Sequence, residues 1–179
     1  MRSSLLILAI LVSCAGEAFA SPEAEAHVES IIDGLSHVDE SNEADFVIDQ
    51  VDIPRLSKFV LGKYVRTEKP EDLAQFEHRL DAYLRDFLKS RSMELSNAAV
   101  EILYSTDRSD TDSIVTTRVS SPTRSPMLMR WRVLFRDGDW KVVDVEVHGL
   151  WLAIEQRAQI AEIMSRDNAA ILDIYPSER

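Results

Sequence analysis

The sequence predicts an α+β fold in which helices precede an antiparallel sheet and a further helix follows the sheet. Three observations lead to this prediction. Apolar residues recur at helical spacing as far as Arg91 and alternate with polar residues after it. Asp137-Gly138 lies between two alternating runs and suits the positive φ angles of a tight hairpin turn. Gly149 then ends the alternation, and helical spacing returns from Leu150 onward.

The first 20 residues have the features of an export signal rather than of a folded element. Arg2 supplies a positive charge, Leu5 to Val12 form an apolar run, and Ala18-Phe19-Ala20 is a small-residue cleavage site. The apolar run is too short to span a bilayer, which takes about 20 residues. We therefore predict that residues 1–20 are a signal peptide.

Cys14 allows a second interpretation of this segment. It closes a stretch that fits a bacterial lipobox, in which the cysteine would be lipidated. We favour cleavage after Ala20, because that site follows the apolar run at a normal distance. Cys14 is the only cysteine, so residues 21–179 must fold on an apolar core without disulfides. This length suits a single domain, which we predict.

The charge of the chain argues against some classes of partner. The formal net charge is −11, so the chain is repelled by nucleic acid and by anionic bilayer surfaces. We expect no nucleic-acid partner, while binding to a basic protein surface remains open.

Four helical segments precede the predicted sheet. Residues 22–38 carry apolar side chains at i, i+3, i+4 and i+7. Ser41 is a suitable N-cap for a second segment, which Pro54 interrupts. A third segment follows with Gly62 inside it, and Pro70 suits the first turn of the fourth and longest helix. The apolar stripe of this long helix contains Leu73, Phe76, Leu80, Tyr83, Leu84 and Phe87.

Four strands are predicted after the long helix, because apolar and polar residues alternate there. Residues 105–112 are predicted as a turn between the first two strands, and residues 120–126 as a loop before the third. After Gly149 the spacing predicts a helix of about 15 residues and a shorter one around residues 169–174. The four alternating runs lie near residues 100–104, 114–119, 127–135 and 142–148.

No reaction is visible in the sequence. Asp144, Glu146 and His148 alternate on the last predicted strand and have the residue types of a metal site. Alternate positions on one strand face are about 7 Å apart, which is too far for three ligands to one ion, so we favour a solvated strand face. No nucleophile elbow and no glycine-rich phosphate loop is present. We predict neither catalysis nor a cofactor.

The chain also carries more apolar side chains on its helix and strand faces than any of these motifs explains. A packed core is the ordinary interpretation of such a set. A wide helical stripe that faces a twisted sheet can instead leave a ligand cavity lined by the same side chains. Periodicity does not separate the two interpretations.

Two segments of the sequence show a resemblance to a known family. The first contains Trp140-Lys141-Val142, Asp144-Val145, Val147, Gly149 and Leu152, and continues through Arg157, Gln159 and Ile163. The second contains Ile53-Pro54-Arg55-Leu56-Ser57 and Leu61-Gly62-Lys63-Tyr64, followed by Pro70-Glu71 and Phe76. In these residues the chain resembles the MlaC family, also called the toluene-tolerance family, of exported lipid-binding components of ABC transport systems.

The resemblance implies both a shape and a function. The implied fold is a helical layer on a twisted four-stranded antiparallel sheet, related to nuclear-transport-factor-like folds, with a lipid cavity between the layers. The implied function is that of a soluble periplasmic carrier in a Gram-negative cell. It would shuttle phospholipid between an outer-membrane lipoprotein complex and the MCE protein of an inner-membrane ABC transporter. We expect a monomer whose only bound group is its cargo.

The implied cavity assigns the apolar surplus to lipid binding. The predicted lipid-binding residues are Leu80, Tyr83, Leu84, Phe87, Val115, Met129, Trp131, Val133, Val145, Val147 and Leu152.

Departures from the family pattern leave alternatives open. Trp151 stands where the family has a small polar residue, and it would either narrow the cavity or pack outside it. A non-phospholipid cargo such as a hopanoid is one alternative. The other is an enzyme on a similar cone-shaped α+β fold that uses Asp144 or His148 as an acid or base.

Overall fold

The computed structural model describes residues 21–90, 98–122, 124–166 and 169–175. The predicted signal peptide and its Cys14 lie outside these residues. The helices are α1 (Pro22–Leu35), α2 (Glu43–Asp49), α3 (Ile53–Leu61), α4 (Pro70–Lys89) and α5 (Leu152–Met164). The strands are β1 (Ala99–Ser109), β2 (Asp112–Ser121), β3 (Arg124–Arg136), β4 (Asp139–Val147) and β5 (Leu150–Trp151). Short 3-10 turns are Glu40–Asn42, Gly62–Arg66 and Ile171–Asp173.

The sheet is antiparallel throughout and runs in the order β1-β2-β3-β4-β5. The α+β class and the antiparallel sheet are confirmed, but the predicted number of four strands is wrong. His148 and Gly149 have φ angles of 53° and 83°, so they form a tight turn between β4 and β5. This turn places Leu150 opposite Val147, and the last helix begins only at Leu152.

The first three strands are longer than the alternation predicted. Both β1 and β2 extend into the segment 105–112, which was predicted as a turn. Of the segment 120–126, predicted as a loop, residues 120–121 and 124–126 are strand. Polar side chains obscured these extensions, because cross-strand pairing satisfies backbone groups whatever the side chain is.

A bulge in β4 changes which valines share a face. Arg132 pairs with Asp144, whereas the next residue, Val133, pairs with Val142, so Val143 is an extra residue in the strand. Val142 therefore lies on the same face as Val145 rather than on the opposite one. A strict period of two along this strand predicted otherwise.

The third predicted helical segment has different boundaries in the structure. Pro54 lies in the first turn of α3, and the Asp52 side chain caps that helix by accepting from the Arg55 amide at 3.0 Å. Gly62 ends the helix with φ 58° and ψ −117°, a conformation that requires glycine, rather than lying inside it. The fourth helix begins at Pro70, as predicted.

Two separate apolar clusters form the core. The sheet cluster joins α1 to the sheet and consists of Ala24, Val28, Ile31, Val115, Trp131, Val133, Trp140 and Val142. The helical cluster joins α3, α4, α5 and the C-terminal turn and consists of Val60, Leu61, Phe76, Leu80, Ala153, Ile160, Ile171 and Tyr175. The helix that packs directly on the first two strands is therefore α1, while α4 packs on α2 and α3.

The helices are tied to the sheet through the loop between α2 and α3. The Asp52 amide donates to the Val142 carbonyl at 2.9 Å, and the Val142 amide donates to the Gln50 carbonyl at 2.9 Å. Arg85 of α4 pairs in turn with Asp45 and Asp49 of α2 at 3.2 and 2.8 Å. These contacts set the position of α4 relative to the sheet.

Within the described ranges, no helix combines the length and apolar composition that a bilayer span requires.

Candidate functional site

The face of the sheet that carries the sheet cluster, here called the inner face, continues beyond that cluster as an apolar row. The row is defined by cross-strand pairing of directly opposed residues, which share a face. It consists of Ile102, Thr117, Met129, Val147 and Leu150. Ile102 and Met129 border the sheet cluster, whereas Val147 is only partly buried and Leu150 is 59% exposed.

The one polar member of the row has its hydrogen bonds satisfied within the protein. The Thr117 hydroxyl donates to the Met129 carbonyl at 3.2 Å and accepts from the indole N–H of Trp131 at 3.1 Å. Thr117 is fully buried. The row is therefore apolar in effect across all five strands, and its β5 end is exposed.

The predicted lipid-binding residues of the sheet lie on this inner face. Val115, Trp131 and Val133 are buried in the sheet cluster, so α1 already covers them. Met129 and Val145 pack at the edge of that cluster. The side chains on this face that stay partly buried therefore lie in or next to the apolar row, in the part of the face that α1 does not cover.

The predicted lipid-binding residues of the helices lie in a different place. Leu80 is buried in the helical cluster and Leu84 packs against that cluster. Tyr83 and Phe87 are each 38% exposed, and Leu152 is 45% exposed at the start of α5. The structure does not bring the two predicted walls together in one cluster.

The C-terminal turn covers part of the long helix. The Tyr83 ring stacks on the Tyr175 ring with centroids 4.7 Å apart, and Phe76 lies 5.5 Å from the same ring. The Tyr175 hydroxyl donates to the Gln156 side chain at 3.3 Å, and burial raises the pKa of Tyr175 far above its ordinary value. Tyr175 thus stays neutral and closes this end of the helical cluster.

Two small, open clefts lie on the described part of the chain. One of about 240 Å³ is lined mainly by polar residues, among them Arg55, Asp112 and Arg132. The other, of about 160 Å³, lies beside the end of α3 and is lined in part by Gly62 and Arg157. Neither includes a residue of the apolar row or a predicted lipid-binding residue, and both are below the roughly 300 Å³ typical of ligand pockets. The lipid cavity therefore stays a prediction.

The outer face of the sheet carries ion pairs and Trp151, the residue that differs from the small polar residue of the family pattern. Glu146 is buried and pairs with Arg130, so the predicted solvated face does not extend to it. The Arg130 guanidinium lies 5.4 Å from the centre of the Trp151 ring. Trp151 is paired with Glu146 across β4 and β5 and so packs outside the inner face. It does not narrow the space over the apolar row.

Asp144 is a helix cap in this structure. One carboxylate oxygen accepts from the amides of Val145 and Ala153 at 2.8 and 2.9 Å, and Ala153 lies in the first turn of α5. Burial raises the pKa of Asp144, and these two hydrogen bonds oppose the shift. His148 is exposed in the β4–β5 turn, and neither of the two clefts is lined by Asp144 or His148, the residues of the enzyme alternative.

The raised pKa of Asp144 predicts a pH dependence of stability. A carboxyl whose folded pKa exceeds its unfolded value stabilises the fold most below the unfolded pKa, and this contribution is lost as pH rises through the folded pKa. Asp144→Asn keeps the capping oxygen and cannot titrate. We expect the free energy of unfolding of the native chain, relative to this variant, to fall as pH rises through that window and then to level off.

Urea unfolding of both proteins from about pH 3.5 to pH 7 measures this difference. Asp137→Asn, at an exposed turn position, is the matched control, and its difference from the native chain should not follow that pattern. A difference for Asp144→Asn that rises with pH would contradict the proposed effect of burial.

Among the residues that the structure describes, no group of three acidic, histidine or cysteine side chains has the geometry of a metal site.

Comparison with known proteins identifies the family. A family model described as MlaC protein matches residues 42–172, more than two thirds of the chain. The chain belongs to the MlaC family. This match confirms the resemblance stated from the sequence, and both motif segments lie inside it.

A solved structure supports the fold of this MlaC family member. It is that of a phospholipid-binding protein from Ralstonia solanacearum in complex with a phospholipid. It superimposes with a TM-score of 0.66 at 20% sequence identity, over 82% of this chain and 87% of that chain. Comparison with curated proteins gives no match.

Three residues of the apolar row, Ile102, Thr117 and Leu150, were not among the predicted lipid-binding residues. Leu150 was placed in the last helix, although a glycine soon after an alternating run is also compatible with the positive φ of a tight turn. Ile102 was recognised as a strand residue, but its place beside Thr117 and Met129 depends on strand pairing. No local signal in the sequence specifies that pairing.

Proposed function

We propose that this protein is a soluble periplasmic carrier that holds the acyl chains of a phospholipid against the inner face of its sheet. The observation that carries the proposal is the apolar row from Ile102 to Leu150, which extends the inner face beyond the sheet cluster. Membership of the MlaC family and the phospholipid bound to the similar solved structure support it.

Transfer energetics explain why a carrier is needed. Each buried methylene contributes about 0.8 kcal/mol, so two 16-carbon tails represent roughly 20–25 kcal/mol of favourable transfer out of water. Spontaneous exit of such a lipid into water is therefore very slow. The tails need a dry surface on all sides, while the headgroup can remain in solvent. Release then requires a partner that offers an equally apolar path.

The proposed binding space lies between the two apolar clusters. In this proposal the sheet side of the space is the apolar row with Val145 beside it, and the helix side is the predicted wall on α4 from Leu80 to Phe87. Tails in this space would contact both the predicted sheet wall and the predicted helix wall. The protein itself does not join these two walls in one cluster. The partly exposed Phe87 and Leu150 would gain burial from the bound lipid.

The proposed partners follow from the family. The carrier would exchange phospholipid with an outer-membrane lipoprotein complex and with the MCE protein of an inner-membrane ABC transporter. Export by the predicted signal peptide would place it in the periplasm. The alternative enzyme is less well supported, because Asp144 caps α5 and His148 is exposed.

Native mass spectrometry of the exported, detergent-free protein tests the proposal. We expect a bound species whose mass, after extraction, is that of a phospholipid, together with uptake of labelled phospholipid from vesicles. A bound hopanoid would replace the cargo but keep the apolar site. Absence of any co-purifying lipid together with absence of uptake would reject the carrier function.

A further inference from the structure

Positive charge is concentrated in one short part of this acidic chain. Residues 53–69 contain five lysines and arginines and a single acidic residue, whereas the whole chain has a net charge of −11. This segment is α3 with the 3-10 turn that follows it. The local charge of this segment is therefore opposite in sign to that of the whole chain.

Two cations of this segment and one of α5 belong to one surface with two aromatic rings. We call it the basic patch and define it as Phe59, Lys63, Tyr64, Arg66 and Arg157. The Arg157 guanidinium lies 5.2 Å from the centre of the Phe59 ring, and the Lys63 ammonium lies 5.1 Å from the centre of the Tyr64 ring. Lys63 and Arg66 are three residues apart in a 3-10 turn, which places them on one side.

Arg157 lies close to the backbone at Gly62 on this surface. A Cβ atom at position 62 would lie 3.0 Å from the Arg157 guanidinium, so any larger residue would displace this side chain slightly. The φ angle of 58° at the same residue also favours glycine. The guanidinium thus lies beside both a backbone turn and an aromatic ring.

The cations of the basic patch differ from most others in the protein. In the described part of the chain, Lys63, Arg66 and Arg157 form no ion pair, whereas Arg85 and Arg132 do. The side chains of these three cations are exposed. The patch therefore presents positive charge that no carboxylate of the described chain neutralises.

An apolar depression lies within the basic patch. The cleft of about 160 Å³ is lined by Lys63, Tyr64 and Arg157 together with Val60, Leu61, Gly62 and Ala161. That volume suits a single side chain rather than a lipid tail. Apolar anchors surrounded by charges are the usual arrangement of a protein interface.

We propose that the basic patch is a docking site for an acidic segment of a partner protein. Carboxylates of the segment would pair with Lys63, Arg66 and Arg157, and one apolar or aromatic side chain would fill the depression. A protein segment fits better than a membrane, because a flat anionic bilayer would also face the acidic remainder of the chain. No predicted lipid-binding residue lines this depression, so the inference does not depend on the lipid cargo.

A labelled synthetic peptide tests the proposal. The probe is a 15-residue peptide of glutamate and aspartate with one central phenylalanine, and a lysine peptide with the same phenylalanine is its counterpart. Binding is measured by fluorescence anisotropy at about 50 mM salt, where screening is weak, and mapped by NMR on the native chain. We expect the acidic peptide to bind, with shifts confined to residues 58–66 and the region of Arg157.

Charge-reversal variants separate docking from general electrostatics. K63E/R66E should weaken peptide binding at least about tenfold. R136E/R166E, which changes the net charge equally at exposed positions elsewhere, should change it less than about twofold. If K63E/R66E does not fold, as judged by circular dichroism, K63Q/R66Q replaces it with the same expected direction.

Several results would overturn the proposal. These are equal binding of the acidic and lysine peptides, NMR shifts away from the patch, and equal losses in the two double variants. Binding of the patch to phosphatidylglycerol vesicles without binding to the peptide would assign it to a membrane instead. Retained lipid in K63E/R66E, measured by native mass spectrometry, would show that any loss of docking is independent of the cargo site.

Discussion

Replacing Phe76 with alanine is expected to lower the free energy of unfolding by about 3–5 kcal/mol. Phe76 has no exposed surface, and its ring lies at the centre of the helical cluster, 5.5 Å from the Tyr175 ring. Removing the ring loses its transfer free energy and leaves a cavity among side chains from three helices. Since whole proteins are stable by only about 5–15 kcal/mol, this single change removes a large fraction of the total.

The matched control is Phe87→Ala on the same helix. Phe87 is 38% exposed, so its truncation should cost much less, on the order of 1 kcal/mol. Urea unfolding monitored by circular dichroism gives both values. Equal losses for the two variants would mean that the helical cluster is not the core that the structure shows.

Replacing Met129 with glutamate is expected to reduce phospholipid binding by roughly thirtyfold, which corresponds to about 2 kcal/mol. Met129 lies in the middle of the apolar row, between Thr117 and Val147. A carboxylate there would have to be desolvated against acyl chains or would draw water into the site. The effect should appear as loss of co-purifying lipid and of uptake from labelled vesicles.

Leu128→Glu is the control for this experiment. Leu128 is the neighbouring residue in β3 but points to the outer face and is 55% exposed, so the same charge should leave lipid binding unchanged. Thermal unfolding of both variants distinguishes loss of binding from loss of fold. Equal lipid content in a folded Met129→Glu protein would contradict the inner face as the acyl-chain site.

Local signals in the sequence predicted most of the elements for clear physical reasons. Pro70 marks the start of the long helix because its missing amide costs nothing in a first turn. Asp137-Gly138 marks the β3–β4 hairpin because both residues accept positive φ angles. The family could also be predicted, since its motif residues are contiguous in the chain and are independent of how the faces pack.

Two features of the sheet were beyond the reach of periodicity. The bulge at Val143 shifts the alternation by one residue, so Val142 joins the core beside Val133. A single inserted residue leaves no local trace in a strand that contains valine on both sides. The ion pair that accompanies the burial of Glu146 requires Arg130 from another strand, which sequence spacing does not indicate.

The candidate site, too, was predictable in part from local sequence and in part only from the tertiary structure. The sequence by itself determined the antiparallel α+β class, the family, and most of the apolar faces outside β4 and β5, because these depend on local spacing and contiguous motifs. Only the tertiary structure decided that α1 covers the first strands while α4 packs on other helices, and that Leu150 extends the sheet. The reason is that an apolar face records the need for a partner but not its identity, which long-range packing selects.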